Sequence, residues 1–290
     1  MIFQNFSYTC PTSIREAVDL LSETGIASKP IAGGTDLIIG LRSGAVRVDR
    51  VVDVTHIPEL KGIKKNGCIS IGAAATFTEI IENPLVQKEA PLLAKACQGI
   101  GSLQIRNLAT IGGNVANAAI CADSLPALVC LGANTIIQSS SGMIRIPTTD
   151  FVTGLGQIQL PAGGLIQSFE FEPLPKDNKF AIERIGRRRA MSISRLTLVV
   201  SGSTGSDGKI NAIRVSPGAA FPQFRRFKEV EDLLYGETPA ESLFVAAGQA
   251  MAQQYHLISG KRWSAEWKEK AIAAITERAL RKVFGDGYEN

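Results

Sequence analysis

The chain has 290 residues, which suggests either one large domain or two domains of moderate size. Its 31 Lys and Arg against 27 Asp and Glu give a formal charge of +4, too small and too evenly spread for a nucleic-acid binder. A content of 45% hydrophobic and 20% charged residues is typical of a compact soluble protein. Because no apolar run reaches the roughly 18 to 20 residues of a membrane span and no export signal is readable, we expect a cytoplasmic protein.

Groups suited to metal or acid–base chemistry are few. The cysteines are Cys10, Cys68, Cys97, Cys121 and Cys130. They are odd in number, and no two form the C-x-x-C unit common in zinc and iron–sulfur sites, so we expect reduced, mostly buried thiols and no metal bound by this chain. His56 and His256 are the only histidines, and no G-x-S-x-G motif is present, which disfavours a hydrolase.

The first half of the chain alternates predicted helices and strands. A capping box beginning at Ser13 predicts an amphipathic helix that Gly25 ends, and a second capping box at Thr76 predicts another helix. A short helix is also predicted after the glycine turn at residues 32–36. The predicted strands lie at residues 30–31, 51–54 and 69–71. This alternation favours an α/β layer architecture.

The pattern changes near residue 176, after a Pro-rich stretch. Strand-like segments follow at 180–185, 196–201 and 210–215, and the chain is helical from Arg226 onward. Thr238 is the predicted N-cap of one helix, and a final amphipathic helix is predicted for 264–284. We therefore expect a domain of residues 1–175 followed by a domain of residues 176–290.

Two glycine pairs stand where phosphate-binding loops are found in other proteins. Residues 32–36 read Ala-Gly-Gly-Thr-Asp at the end of a predicted strand, and residues 110–114 read Thr-Ile-Gly-Gly-Asn. Glycines expose backbone N–H groups, and the hydroxyl and amide beside the second pair can donate to phosphate oxygens. One nucleotide with two phosphates would explain both loops, although each loop taken alone is also compatible with an ordinary strand-to-helix turn.

The familiar nucleotide motifs do not fit. The segments at 99–104 and 154–159 carry Gln where the dinucleotide fingerprint has its third glycine, and Gly208-Lys209 is not followed by Ser or Thr as in a P-loop. The basic run from Arg184 to Arg189 either binds phosphate or forms a solvated or interface-facing stretch.

Four segments together resemble the FAD-binding (medium) subunit of the molybdenum hydroxylases, the family of bacterial xanthine dehydrogenase and carbon monoxide dehydrogenase. They are residues 32–36, residues 71–76 with Ile71-Gly72-Ala73 and Thr76, residues 104–114 reading QIRNLATIGGN, and Ala122-Asp123-Ser124. The resemblance covers nearly the whole chain. It implies a mixed α/β and α+β fold: a two-lobed FAD domain of the vanillyl-alcohol oxidase (PCMH) type, then a smaller α+β domain with an antiparallel sheet and helices.

The resemblance also implies where FAD is held. The first motif maps to the pyrophosphate, the second to phosphate and flavin contacts, Asp123 to the ribose and adenine side, and Ile166 to the adenine. A family lysine near the flavin falls at Glu183 or Arg184, of which we choose Arg184. The implied cofactor positions are Ile31, Ala32, Gly33, Gly34, Thr35, Asp36, Leu37, Ile100, Thr110, Ile111, Gly112, Gly113, Asn114, Asn117, Asp123, Ile166 and Arg184.

By the same resemblance the function is electron transfer. A large partner subunit with molybdopterin hydroxylates the substrate, a small partner subunit with two [2Fe–2S] clusters relays electrons, and the FAD of this chain passes them to NAD. The flavin carries the chemistry, so no catalytic acid–base pair is expected here. A dimer of heterotrimers is implied. A [4Fe–4S] cluster found in some relatives is not expected, since only Cys121 and Cys130 lie near that region.

Several alternatives stay open. Xanthine is the expected substrate of the complex, but carbon monoxide, aldehydes and N-heterocycles are compatible with the same chain, and a quinone or another carrier could replace NAD. A stand-alone flavin oxidase would be reduced by its own substrate without partners. A binding module that uses residues 184–189 on RNA or an acidic protein would lack flavin and bind less tightly in salt.

Overall fold

The computed structural model describes residues 5–188, 191–260 and 265–285. Within these ranges, helices and strands form two lobes followed by a third layer built from a sheet and helices. None of the helices in these ranges is long and apolar enough to cross a membrane.

The first lobe is a small parallel sheet with two helices. Its strands, in the order β1-β3-β2, are β1 (Ser7–Thr9), β2 (Ser28–Ile31) and β3 (Arg50–Asp53), and its helices are α1 (Ile14–Ser22) and α2 (Leu37–Ser43). The Ser13 hydroxyl accepts the N–H of Glu16 at 3.2 Å and so begins α1 as predicted. The Glu16 carboxylate bonds the N–H of Thr12 instead of Ser13, so only half of the capping box forms.

The second lobe is a five-stranded antiparallel sheet covered by short helices. The strand order is β4-β5-β10-β6-β7. The strands are β4 (Ile63–Asn66), β5 (Cys68–Gly72), β6 (Asn134–Ser139), β7 (Gly142–Pro147) and β10 (Leu165–Phe171), with a separate pair β8 (Val152–Gly154) and β9 (Gln157–Ile158). The helices are α3 (Phe77–Glu82), α4 (Pro84–Glu89), α5 (Pro91–Gln98), α6 (Leu103–Arg106), α7 (Ile111–Asn117), α8 (Ser124–Leu131) and α9 (Thr148–Phe151), with a 3₁₀ turn at Pro58–Leu60 before β4.

The C-terminal part is a three-stranded antiparallel sheet packed on three helices. The strands are β11 (Lys179–Gly186), β12 (Ser194–Thr204) and β13 (Ile210–Gly218), and the helices are α10 (Lys228–Leu234), α11 (Glu241–Ser259) and α12 (Ala265–Phe284). The N-cap predicted at Thr238 is wrong, because α11 begins at Glu241 after an extended Ala240. Ser264, the predicted first residue of the last helix, lies outside the described residues.

The C-terminal sheet packs directly against the second lobe. Helix α8 contacts β12 and β13, and Val199 and Phe224 are buried in the same core as the residues of the second lobe. The chain crosses between the two parts in residues 172–178, which form no helix or strand, and the N–H of Leu174 donates to the carbonyl of Glu89 at 3.0 Å. The shared core fixes the position of the C-terminal sheet relative to α8.

The cysteines are free thiols with differing exposure. Cys97 and Cys130 are buried, and Cys68 and Cys121 are half-buried. Cys10 is exposed, and it follows β1, an edge strand of the first sheet. The expectation of mostly buried cysteines is therefore wrong, because only two of the five are buried.

Candidate functional site

A cleft of about 420 Å³ opens between the two lobes, within the usual size range of small-molecule sites. It contains all of the first glycine motif, most of the second, and Ile100, Asn117 and Ile166. Its lining residues are Lys29, Pro30, Ile31, Ala32, Gly33, Gly34, Thr35, Asp36, Leu37, Val46, Val54, Leu60, Ala73, Ala74, Phe77, Ile100, Ile105, Ala109, Thr110, Gly112, Gly113, Asn114, Ala116, Asn117, Ile158, Leu160, Gly164, Leu165 and Ile166. Fourteen of the seventeen sequence-predicted positions thus surround one cavity.

The first glycine loop packs tightly against the second motif. A Cβ atom on Gly33 would lie 1.9 Å from the carbonyl oxygen of Leu108, far inside van der Waals contact. Gly34 has φ +69°, a left-handed conformation that favours glycine. The backbone alone therefore explains both glycines, whether or not a ligand is bound. Gly33 allows the close contact with residues 108–109, and Gly34 adopts the left-handed conformation.

The same loop presents backbone donors that the protein does not use. The N–H groups of Gly33, Gly34 and Thr35 have no hydrogen-bond acceptor among the described residues. Adjacent free N–H groups at the start of a helix attract an anionic group. This end of the cleft is therefore suited to phosphate oxygens.

The second glycine motif differs from the sequence expectation, because its backbone donors are used inside the protein. The N–H of Ile111 donates to Ala75, that of Gly112 donates to Ala73 at 2.9 Å, and that of Gly113 donates to the Thr110 hydroxyl at 3.1 Å. Helix α7 is thereby capped and fixed to the loop after β5. In the first turn of α7 the backbone N–H groups of Ile111, Gly112 and Gly113 are thus not free for a ligand, and the motif's side chains remain as donors.

Two asparagines carry the polar side chains of α7 into the cleft wall. Asn117 donates through Nδ2 to Oδ1 of Asp36 at 3.2 Å, which joins α7 to the first loop. Oδ1 of Asn114 accepts the Ser124 hydroxyl at 2.6 Å, and its Nδ2 has no acceptor in the described part of the chain. Asn114 therefore keeps a donor for a ligand.

Apolar side chains form the rest of the cleft. Ile100 and Ile105 come from the segment before the second motif, and Ile166 comes from β10. The guanidinium of Arg106 donates to the carbonyls of Ile100 at 3.0 Å and of Gly101 at 3.4 Å, and so closes this segment on itself. Sequence reasoning gave Arg106 no role, because its partners are backbone carbonyls that only the folded loop brings together.

Three predicted positions do not line the cleft. Ile111 is fully buried behind it. Asp123 is buried and accepts from Arg184 Nε at 3.0 Å, from the Ser194 hydroxyl at 2.7 Å and from the Thr197 hydroxyl at 2.6 Å. Asp123 and Arg184 are therefore ion-paired with each other at the boundary between α8 and the C-terminal sheet.

The surroundings of that pair keep the nearby thiol protonated. Burial raises the pKa of Cys121, and the carboxylates of Asp123 and Asp36 raise it further. The Cys121 thiol is therefore not activated as a nucleophile.

The rest of the basic run lies outside the cleft lining. Arg187 and Arg188 are exposed, with Arg188 donating to the Met191 carbonyl, while Arg189 lies outside the described residues.

The family described as "FAD binding domain in molybdopterin dehydrogenase" matches residues 4–174. The chain belongs to this family. A second family, "CO dehydrogenase flavoprotein C-terminal domain", matches residues 183–283. The resemblance to the FAD-binding medium subunit of molybdenum hydroxylases is thus confirmed, and the chain is an FAD-binding oxidoreductase subunit.

Relatives match over nearly the whole chain. The putative xanthine dehydrogenase FAD-binding subunit of Escherichia coli K12 is 30% identical over 97% of both chains. The glyceraldehyde dehydrogenase medium chain of Sulfolobus acidocaldarius is 28% identical over 96% of this chain and 98% of its own. A solved carbon monoxide dehydrogenase of Hydrogenophaga pseudoflava superposes with a TM-score of 0.91, at 25% identity over 98% of both chains. The expected two-part mixed fold is therefore confirmed.

Proposed function

We propose that FAD occupies the cleft between the lobes, with its pyrophosphate against the first glycine loop. The observation that carries this proposal is the set of unused N–H groups on Gly33, Gly34 and Thr35, three residues that line the same cavity as the second motif. Among the remaining predicted positions, Thr110 and Asn114 offer a hydroxyl and an amide donor, and the apolar wall excludes water. The chain's residues fit the cofactor that its family binds.

The negative charge of Asp36 lies in the same loop and needs compensation near a phosphate. Its Oδ1 accepts from Asn117, and its Oδ2 accepts from the Thr35 hydroxyl at 3.4 Å. These donors share part of the charge and leave the backbone N–H groups of the loop for the ligand. Thus Asp36 serves the site by tying the first loop to α7.

We further propose that Asp123 and Arg184 act on the cofactor from behind the cleft wall. The resemblance maps both to cofactor contacts, while the ion pair at 3.0 Å gives each a protein partner. Arg184 also passes close to the cleft, since a Cβ atom on Gly99, next to the lining residue Ile100, would lie 3.8 Å from its Cδ. Ile111 contributes by supporting the motif.

We propose that the chain transfers electrons from a [2Fe–2S] partner subunit to NAD, in a complex whose large subunit carries molybdopterin. Bound FAD supplies the exchange between one-electron and two-electron transfer. The protein binds the flavin, orients it and keeps water out, so an acid–base pair is not required. Support comes from the relatives, whose names describe an FAD-binding subunit of a putative xanthine dehydrogenase and a medium chain of a glyceraldehyde dehydrogenase.

Xanthine is the substrate we propose for the assembled complex. The support is the 30% identity to the putative xanthine dehydrogenase subunit, which covers 97% of both chains. An aldehyde is the second candidate, favoured by the glyceraldehyde dehydrogenase medium chain at 28% identity. We also propose a dimer of heterotrimers in the cytoplasm, and a domain boundary at residues 175/176, within the connecting segment without helix or strand.

The test begins with a visible absorption spectrum of the purified chain, before and after FAD is added, followed by anaerobic titration with NADH. A flavin spectrum that NADH bleaches is the expected result. A flavin that NADH leaves unchanged would reject NAD as the acceptor, and a protein that stays colourless with added FAD would reject the cleft as a flavin site. Titrating the co-purified complex with xanthine, and separately with glyceraldehyde, distinguishes the two substrates.

A further inference from the structure

Asp123 directs its carboxylate away from its own helix. It occupies the N-cap position of α8, but its side chain makes no capping hydrogen bond there. Both oxygens reach the C-terminal sheet, where Thr197 donates to Oδ1 at 2.6 Å and Ser194 donates to Oδ2 at 2.7 Å. The carboxylate therefore bonds to the C-terminal sheet instead of capping its own helix. These hydrogen bonds fix the start of α8 relative to that sheet.

The next residue carries this anchorage to the cleft. Ser124 is fully buried, and its hydroxyl donates to Oδ1 of Asn114 at 2.6 Å. This hydrogen bond occupies Oδ1 and fixes the orientation of the Asn114 amide. Nδ2 is then the polar atom that Asn114, a lining residue, keeps for a ligand. Asp123 and Ser124 are consecutive, so the C-terminal sheet and the Asn114 amide are joined through two side chains and one peptide unit.

We propose that Asp123 and Ser124 form a relay through which the C-terminal domain positions the Asn114 amide as a donor to the bound FAD. The proposal rests on the proposed function, because it needs FAD in the cleft. Ser124 is then a positioning residue that acts through Asn114. It also gives the C-terminal domain, which contributes no lining residue among those described, an influence on the cofactor.

The chain offers a matched control for removing the Ser124 hydroxyl. Ser201 is equally buried and donates to Oδ1 of Asn178 at 2.6 Å, in the C-terminal sheet and outside the cleft lining. Ser124→Ala and Ser201→Ala therefore each remove a serine-to-asparagine hydrogen bond from the same degree of burial, and Ser201→Ala also removes a hydrogen bond with the buried thiol of Cys130. A change in FAD affinity or flavin potential that only Ser124→Ala shows is therefore due to the contact of Ser124 with Asn114, and not to the loss of a buried serine hydroxyl in general.

The experiment measures the FAD dissociation constant and the flavin midpoint potential of the full chain. We expect Ser124→Ala to weaken FAD binding about five- to tenfold and to shift the potential, as for loss of one hydrogen bond of about 1 kcal/mol, and Ser201→Ala to change neither. Thr197→Val should act in the same direction but less, since Asp123 keeps Ser194 and Arg184. This variant also tests the relay if Ser124→Ala does not fold.

A double-mutant cycle decides whether Ser124 acts through Asn114. In an Asn114→Ala background, Ser124→Ala is expected to cause no further loss of FAD affinity. Additive losses would overturn the relay, as would an Asn114→Ala variant with unchanged affinity and potential. In both of these results the protein still binds FAD, so the proposed function survives; a wild-type chain that binds no FAD would refute the proposed function itself.

Discussion

Replacing Gly33 by Ala tests whether the first loop holds the cofactor through its backbone. The added Cβ would lie 1.9 Å from the Leu108 oxygen and 2.5 Å from its carbonyl carbon. Both of these are backbone atoms, so no side-chain rotation relieves the contact. To reach an ordinary separation of about 3.4 Å, the loop must move by about 1.5 Å away from residues 108–109.

Such a movement takes the free N–H groups out of hydrogen-bond range of a phosphate that the rest of the cleft still holds. Hydrogen bonds to a charged group contribute about 1.5 to 3 kcal/mol each. Loss of two of them at the lower figure is about 3 kcal/mol, which weakens binding on the order of 100-fold. We therefore expect Gly33→Ala to purify with little flavin and to bind added FAD about two orders of magnitude more weakly.

The assay is FAD titration followed by flavin fluorescence, with Gly202→Ala as the control. A Cβ atom on Gly202 would lie 2.5 Å from the Ala212 oxygen, a similar backbone clash within the C-terminal sheet and away from the cleft. Gly202→Ala should lower thermal stability and leave the FAD affinity of the folded protein unchanged. The reasoning is refuted if Gly33→Ala retains a full complement of flavin with wild-type affinity, or if both variants lose FAD equally.

Three further predictions concern single side chains. Asp123→Ala should lower the free energy of unfolding by about 3 kcal/mol, the lower end for one partner of a buried ion pair, since the Arg184 side chain is 21% exposed; a loss below about 1 kcal/mol in urea unfolding would contradict this. Thr110→Val should cost the FAD-free protein about 1 to 2 kcal/mol by removing the N-cap acceptor of α7, whereas Thr110→Ser should be nearly neutral in the same urea assay. The hydrogen bond to Asp53 raises the pKa of Tyr8 to about 12, so the folded state holds this proton more tightly than the unfolded state, and the resulting stability is lost as pH rises from about 10 through 12. The stability difference between wild type and Tyr8→Phe should shrink over that range, and a constant difference would contradict the assignment.

The sequence predicted the elements that local chemistry determines. The Thr76 capping box forms in full, with its hydroxyl bonded to the Glu79 N–H and the Glu79 carboxylate bonded back. At Thr238 the same kind of pattern failed, because α11 begins only at Glu241. Hydroxyl-capping and proline signals describe only a local preference, and α11, which packs against α12, begins three residues later without a side-chain cap.

The cleft was predictable where glycine pairs mark it and unpredictable where tertiary contacts make it. The first loop lies at the cleft as its sequence indicates, whereas lining residues such as Val54, Leu60 and Leu165 come from apolar positions that look like ordinary core. The pairing of Asp123 with Thr197 joins residues 74 positions apart, and no short motif encodes it. A contact between residues so far apart in the sequence forms only when α8 packs on the C-terminal sheet.

The two glycine pairs, similar in sequence, have different physical tasks. Gly112 allows α7 to approach the loop after β5, since a Cβ atom on it would lie 2.6 Å from the Ala73 oxygen, and every first-turn donor there is already satisfied. The first loop needs its glycines for a similar close approach, yet it keeps its donors free. Satisfied donors make the second motif a rigid support whose geometry does not depend on ligand, while the unsatisfied donors of the first loop gain stability only when an anion binds. The cleft therefore consists of a preformed wall and a loop with unsatisfied donors, and in the proposed function the cofactor joins the two lobes by completing the hydrogen bonds of that loop.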